Sequence, residues 1–467
     1  MIRFLLNNKL VEAEVPTGTI LLDYIRENKK LKGTKSACRE GDCGSCAVLI
    51  GSITDNELNY KAITSCITPL GNIHGKHVVT IEGLNQEQIS PVQQALIDAA
   101  AIQCGYCTPG IVLSLTGYIL SNQEYSFDSA KDAIAGNICR CTGYKSIERA
   151  LELVLKSLES IGSNMTIKQL INARFLPSYF SDIKLQLSSI QNASINGKSK
   201  LLVGGGTDLY VQKPDELIDK DLVFISDNPE LNKISVIDNI CRIGAACKVS
   251  DLFSNNLISS RIPEFGSYIK LIASNLIRNI ATIGGNVVNA SPIGDLSILF
   301  LSLNASLTIK SASNTFRKVK LEDFFISYKK IDLTNEEHIT EIEFELPNEN
   351  CLFNFEKVSK RRYLDIASVN SAFLIEIEEN VIKIIRISVG GVSPIPLFLS
   401  QTCNYLNGKA LTPELVKNAT EILNQEISPI TDVRGSAEYK RLLARQLFFA
   451  HFLKFFPNRF DLNELTQ

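Results

Sequence analysis

The chain has 467 residues, 45% of them hydrophobic, and 48 Lys+Arg against 50 Asp+Glu, which predicts about three or four domains at roughly 100–200 residues each. Near-neutral charge, with no global basic excess and no acidic tail, argues against nucleic acid as a partner, and no apolar stretch reaches membrane-span length. Met1 to Leu6 shows no secretory core, so a cytoplasmic setting is expected, in which the 12 cysteines read as ligands or core thiols rather than disulfides.

Residues 2–6 and 10–15 predict two short strands around an Asn7-Asn8 turn. A helix is expected over 20–28, capped by Thr19, with Leu21, Leu22 and Ile25 on one face. Cys38, Cys43 and Cys46 then spell C-x4-C-x2-C, with Cys66 as a distant fourth, the spacing of plant-type [2Fe–2S] ferredoxins. Gly41 and Gly44 can take positive φ and let backbone N–H groups turn toward anionic sulfur. Zinc or free thiols are the alternative. Strands at 47–50, 62–67 and 78–81 complete a β-grasp ferredoxin pattern over 1–84. His74 and His77 lie near Cys66, but that quartet is complete, so they read as surface or turn histidines.

From Ser90 the pattern is helical. Ser90-Pro91 and Thr108-Pro109 each pair a cap with proline at the first helical position, predicting helices over 92–102 and 111–120, and 126–135 and 146–157 complete four. This part, 85–160, carries a second quartet, Cys104 and Cys107 at C-x2-C and Cys139 and Cys141 at C-x-C. Cys107 directly precedes a helix N-terminus, where free N–H groups and the dipole favour an anion. Spacing alone leaves both an iron–sulfur cluster and Cys₄ zinc open. Together, the two quartets, the second set in Gln103-Cys104-Gly105-Tyr106-Cys107-Thr108-Pro109-Gly110 and Cys139-Arg140-Cys141-Thr142-Gly143-Tyr144, resemble the iron–sulfur part of the molybdenum hydroxylases. That resemblance implies two [2Fe–2S] clusters.

Residues 158–175, with Ser160, Ser163 and Asn164, read as a polar linker. Leu201, Leu202 and Val203 form a short strand, after which Gly204, Gly205, Gly206, Thr207 and Asp208 expose N–H groups able to cradle phosphate; alone, this is equally a plain turn. The stretch is not G-x-G-x-x-G, so a Rossmann site is unsupported. Residues 277–295 combine a helix end, a turn at Thr282, Ile283, Gly284, Gly285 and Asn286, and a Ser291-Pro292 turn before Asp295. Two such loops suggest one phosphate-rich ligand. Segments 373–378 and 382–389 predict a hairpin of a sheet covered by helices from Pro413 and Ala437. The charged 432–441 segment reads as a solvated helix start, with a partner or the cofactor mouth as its alternative neighbour. Cys241, Cys247, Cys351 and Cys403 lack ligand spacing and read as core thiols.

Both glycine loops resemble the FAD-binding domain of the same family, here 175–347, and 350–460 resembles the C-terminal domain of its flavin part. The implied fold is α+β multidomain: β-grasp, four-helix [2Fe–2S], FAD-binding and C-terminal flavoprotein domains. By position, the resemblance puts FAD pyrophosphate on Gly204, Gly205, Gly206 and Thr207, flanked by Leu201, Val203 and Asp208. Thr282, Ile283, Gly284, Gly285 and Asn286 form a second loop, and Asp295 and Lys357 lie near the cofactor. From its neighbours Lys360, Arg361 and Arg362 alone, Lys357 reads equally as a solvated lysine. The family often stacks an aromatic ring on the flavin ahead of Thr282; here Ile272 stands near that place, with no aromatic between Leu271 and Thr282.

The order of iron–sulfur part then flavin part, ending without a molybdenum domain, resembles the small subunits of two-subunit bacterial xanthine dehydrogenases. It implies a large molybdenum-cofactor partner, in a dimer of heterodimers, that oxidises hypoxanthine or xanthine. Electrons would pass singly through the two clusters to FAD and then to NAD⁺. No residue catalysing substrate hydroxylation is expected in this chain. The alternatives are the equivalent subunit of an aldehyde or other N-heterocycle hydroxylase, and an iron–sulfur carrier with a vestigial flavin fold.

Overall fold

The computed structural model describes residues 1–121, 125–162, 164–190, 201–220, 222–253 and 255–466; Ser163 of the expected linker lies outside them. The chain forms two compact units, Met1–Ile225 with Ser274–Ala281, and Ser226–Ala273 with Thr282–Gln467.

The first unit opens with β1 (Ile2–Leu6) and β2 (Lys9–Ala13), turned at Asn7, whose φ is 56°. With β3 (Ala47–Thr54), β4 (Glu57–Thr64) and β5 (His77–Val79) they make a sheet of order β2-β1-β5-β3-β4, in which β1 and β5 run parallel. Strand alternation buries Ile2, Phe4, Leu6, Val11 and Ala13 with Leu21, Tyr24 and Ile25. The expected helix over 20–28 is instead one α turn, Leu21–Asp23, running into a π turn, Tyr24–Asn28, and no side chain caps it. The Thr19 carbonyl accepts the Leu70 N–H.

His77 is not a surface residue. Register turns it inward on β5, where it is fully buried, with Tyr60 Oη 2.7 Å from Nδ1 and the Asn7 carbonyl 2.8 Å from Nε2. A carbonyl only accepts, so Nε2 carries the proton and Nδ1 accepts from Tyr60. Burial pushes the imidazole pKa down to about 4.

Four helices follow, Pro91–Asp98, Thr108–Leu120, Phe127–Ala133 and Lys145–Glu159. Ser90 with Gln93, and Ser126 with Ser129, form reciprocal capping boxes. Thr108–Leu120 is buried from Gly110 to Leu120 because it is apolar all round and forms the centre of this part. The expected linker is structural: Thr166 caps a helix over Ile167–Asn172, and Met165, Leu170, Phe175, Leu176 and Phe180 join the helical core. Ser160 and Asn164 sit at turns, and their polarity hid the widely spaced apolar residues around them. After the linker, β6 (Leu202–Val203) pairs in parallel with β7 (Val223–Phe224).

The second unit holds a sheet of order β11-β10-β14-β9-β8, built from β8 (Ile234–Ile237), β9 (Ile240–Gly244), β10 (Ser306–Ser311), β11 (Phe316–Lys320) and β14 (Glu337–Glu345), with a small ladder of β12 (Phe325–Ser327) and β13 (Lys330–Ile331). A four-stranded antiparallel sheet joins β15 (Cys351–Val358), β16 (Val369–Glu378), β17 (Val381–Gly390) and β18 (Leu397–Phe398). As the pattern predicts, helices Pro413–Glu426 and Ala437–Phe455 bury Val416, Leu423, Phe448 and Phe452 with Phe373 and Ile385 of this sheet. The 432–441 segment is a helix start, capped by Ser436, with Val433 exposed, but Lys440 is buried and paired with Asp432 at 2.6 Å. Cys241, Cys247 and Cys403 are buried thiols whose pKa burial pushes up to about 12, and Cys351 is half-buried. Among the described residues, no helix is long and apolar enough to cross a membrane.

Candidate functional site

The 39–46 loop owes its shape to three residues in the left-handed region, Arg39 (φ 60°), Gly41 (φ 80°) and Gly44 (φ 67°). Arg39 tolerates this because its guanidinium is held by both oxygens of Asp23, at 2.9 and 2.6 Å. The resulting curl aims N–H groups at sulfur: Glu40 and Cys43 donate to Cys38 Sγ at 3.5 and 3.4 Å, and the Gly41 N–H reaches Cys66. Cys46 and Cys66 are each only 2% exposed. Hydrogen bonds from the Cys43 and Cys66 thiols hold Cys38 far below the ordinary thiol range, and Cys66, donating to Cys38 and Cys46, is pushed up. The four sulfurs thus converge as donors and acceptors to one another, with Cys38 and Cys46 held low and Cys43 and Cys66 pushed up.

The second quartet meets as two pairs. Cys141 Sγ lies 3.5 Å from Cys104 Sγ, both exposed, whereas Cys107 and Cys139 are buried and share a thiol hydrogen bond. Cys107 is the residue before helix Thr108–Leu120, as expected. Thr142 Oγ1 stands 3.2 Å from Cys139 Sγ, and the Cys139 N–H donates to Tyr144 Oη at 3.0 Å. Two thiol pairs are what a [2Fe–2S] cluster takes, two cysteines to each iron.

The quartets are joined through backbone. The Ile138 N–H, beside Cys139, donates to the Cys43 carbonyl at 3.0 Å, and Asn137 Nδ2 donates to the Gly44 carbonyl at 3.1 Å. A Cβ on Gly44 would lie 2.4 Å from the Gly136 carbonyl, and one on Gly110 would lie 2.4 Å from the Gly44 carbonyl. The loop conformation of Gly44 is legible in the sequence; the contacts made by Gly110, Gly136 and Asn137 are not, because a distant segment sets them.

The two glycine stretches differ. In the first unit, Gly206 (φ 81°) precedes helix Thr207–Gln212, with Leu201 exposed, Val203 buried and Asp208 in the first helical turn. Among the described residues, the N–H groups of Gly205, Gly206 and Thr207 meet no acceptor, so a phosphate could take them. A Cβ on Gly205 would lie 2.1 Å from the Ile280 carbonyl, so the chain's own packing already requires glycine there. In the second unit, 282–286 is the start of helix Ile283–Val288 rather than a turn. Its N–H groups are taken, Ile283 by Cys247 O, Gly284 by Ala245 O and Gly285 by Thr282 Oγ1. What remains is Asn286 Oδ1, a buried acceptor without a partner among the described residues. Ile272 is buried.

Asp295 begins helix Asp295–Ser302, and Lys357 lies on β15. Lys357 is not solvated: its side chain is 1% exposed against 11% for Asp295, and Nζ donates to Asp295 Oδ2 at 2.7 Å and to the Leu271 carbonyl at 2.8 Å. Strand alternation puts it on the face of Phe353 and Phe355, whereas Lys360, Arg361 and Arg362 lie past the strand end and are exposed.

Four families match in sequence order: "2Fe-2S iron-sulfur cluster binding domain" over 4–71, "[2Fe-2S] binding domain" over 80–152, "FAD binding domain in molybdopterin dehydrogenase" over 185–348 and "CO dehydrogenase flavoprotein C-terminal domain" over 355–455. The chain is 28% identical to xanthine dehydrogenase 1 of Arabidopsis thaliana, over 93% of this chain and 38% of that protein. It is 26% identical to aldehyde oxidase 1 of Bos taurus, over 96% and 38%. It therefore spans well under half the length of these curated relatives. A carbon monoxide dehydrogenase from Hydrogenophaga pseudoflava, lacking the Mo-pyranopterin moiety, aligns with a TM-score of 0.51 at 28% identity, covering 54% of this chain and 87% of that chain. Paired cysteine quartets, free glycine-loop amides and these four domains in one order make the chain similar, over nearly its whole length, to the two-[2Fe–2S], FAD-binding part of molybdenum hydroxylases.

Proposed function

We propose that the chain is the electron-transfer part of a xanthine dehydrogenase, working with a large molybdenum-cofactor partner that hydroxylates hypoxanthine or xanthine, in a dimer of heterodimers, with NAD⁺ as acceptor. The carrying observation is the hydrogen bond from Ile138 to Cys43, which puts the two quartets in covalent and hydrogen-bonded continuity instead of across solvent. When bound, [2Fe–2S] clusters take single electrons and FAD exchanges an electron pair as hydride with a nicotinamide.

On this reading 1–84 and 85–160 are the two cluster domains, held by Cys38, Cys43, Cys46 and Cys66 and by Cys104, Cys107, Cys139 and Cys141. Residues 175–347 bind FAD and 350–460 form the C-terminal flavoprotein domain. The free N–H groups of Gly205, Gly206 and Thr207 are the pyrophosphate donors, with Gly204, Leu201, Val203 and Asp208 shaping that stretch. Thr282, Ile283, Gly284, Gly285 and Asn286 contribute through the Asn286 acceptor rather than through backbone amides. Asp295 is the flavin-side member of its pair with Lys357. All 12 cysteines are free, which suits a reducing cytoplasmic setting.

Anaerobic addition of NADH to the purified, FAD-containing chain tests the acceptor: flavin and cluster absorbance should both bleach. A chain that holds FAD yet stays oxidised would remove the NAD⁺ assignment. A second reading, an aldehyde hydroxylase, is favoured by the likeness to aldehyde oxidase 1, and turnover of the assembled complex with xanthine against an aromatic aldehyde separates the two.

A further inference from the structure

Lys357, Asn370 and Gly390 stand side by side on β15, β16 and β17, for Lys357 pairs across the ladder with Asn370 and Asn370 with Gly390. Residues paired in this way point to the same face of a sheet. Asn370 is fully buried. Its Nδ2 donates to Asp295 Oδ1 at 2.5 Å and to the Ile293 carbonyl at 3.2 Å. The amide orientation is fixed, because flipping it would set an oxygen against a carboxylate and a carbonyl. Among the described residues Asn370 Oδ1 has no partner, and a Cβ on Gly390 would lie 2.2 Å from it. A buried amide with an orphaned oxygen is a poor choice for packing alone, and glycine inside a strand weakens it. Both features make sense if the two donors of Asn370 are needed and Gly390 makes room for the amide.

We propose that Asn370 is a positioning residue of the flavin site, holding Asp295 Oδ1 while Lys357 holds Oδ2, so that the carboxylate keeps one orientation and a charge balanced by Lys357. Asp295 is the more exposed member of the pair and so the one a cofactor can reach. The inference rests on the reading that Asp295 and Lys357 border FAD. Asn370→Asp is nearly isosteric but replaces two donors with a carboxyl crowding Asp295, so the pair must share one proton or carry an added negative charge, which disfavours electron uptake by a neighbouring group.

The test is the midpoint potential of bound FAD in the full chain, by equilibrium titration at saturating FAD, for wild type, Asn370→Asp, Asn370→Ala and Lys357→Met, with thermal unfolding followed in parallel. Asn370→Asp should lower the potential by at least a tenfold change in the oxidised-to-reduced ratio at fixed poise, about 30 mV for a two-electron couple. Asn370→Ala should shift it the same way by less, and carries the test if the aspartate variant does not fold. If Lys357→Met moves the potential while the Asn370 variants lose only thermal stability, Asn370 merely packs and the proposal is overturned. If none of the three moves it, the assignment of Asp295 and Lys357 to the flavin falls as well.

Discussion

The two cysteine quartets each bring four sulfurs together, with different backbone devices. The first uses a loop of left-handed residues whose amides close over the sulfurs, and two of its cysteines lie in the core with Leu22 and Ile67. The second uses a helix start and a Cys-x-Cys turn, and leaves Cys104 and Cys141 at the surface. Spacing sets which cysteines can meet, whereas burial is set by what packs on the loop. Each quartet places two cysteines in a core, Cys46 and Cys66 in the first and Cys107 and Cys139 in the second, so the contrast lies in the other two, which are half-buried in the first and exposed in the second.

The largest expected effect is at Gly44, which serves both quartets. Alanine there meets a φ of 67° and a backbone oxygen at 2.4 Å, for which strain and overpacking together cost roughly 2–5 kcal/mol. Gly44→Ala should lower thermal stability and deplete iron from both quartets, and depletion of only the first would show that the loops do not depend on one another.

Acid should sharpen the contrast next, since His77 and His74 lie in the β-grasp part and the helical part has no histidine. Neutral His77 titrates near 6.5 when unfolded and at about 4 in the fold, so the folded state binds fewer protons. Its contribution, up to about 3 kcal/mol, is complete above pH 6.5 and is lost as pH falls through 4. Unfolding of the β-grasp part followed between those values should be acid-sensitive, and His77→Gln should flatten that dependence.

Gly105 is the smallest perturbation and the control for Gly44. Its φ is 77°, but an added Cβ meets only Ile102 Cγ2 at 3.9 Å, so Gly105→Ala should cost roughly 1–2 kcal/mol of backbone strain and leave the first quartet untouched. Equal damage from both alanine variants, read from iron content and melting temperature, would mean that contact between the loops adds nothing beyond φ.

Much of this architecture is legible in the sequence where the signal is local. Cysteine spacing, the Ser90 and Ser126 caps and the alternation on either side of Glu379 and Asn380 each depend on neighbours within a few residues. What escapes is decided by register or by distant segments. His77 and Lys357 look like ordinary polar residues until strand pairing turns them inward, and the 158–175 stretch looks like a linker until Met165 and Phe175 find the helical core. The second glycine loop has the right composition for an amide cradle, yet Cys247 and Ala245 accept its N–H groups, a competition that no motif reveals.

The central claim, one [2Fe–2S] cluster in each of two unlike quartets, is tested most directly by iron and acid-labile sulfide per chain, with electron paramagnetic resonance after reduction, in anaerobically prepared wild type and Cys107→Ala. The account predicts about four irons, about four sulfides and two distinct signals in the wild type. In Cys107→Ala about half the iron should remain, with the first-quartet signal unchanged. Zinc in place of half the wild-type iron, or loss of both signals from a Cys107→Ala chain that still folds and holds FAD, would contradict it.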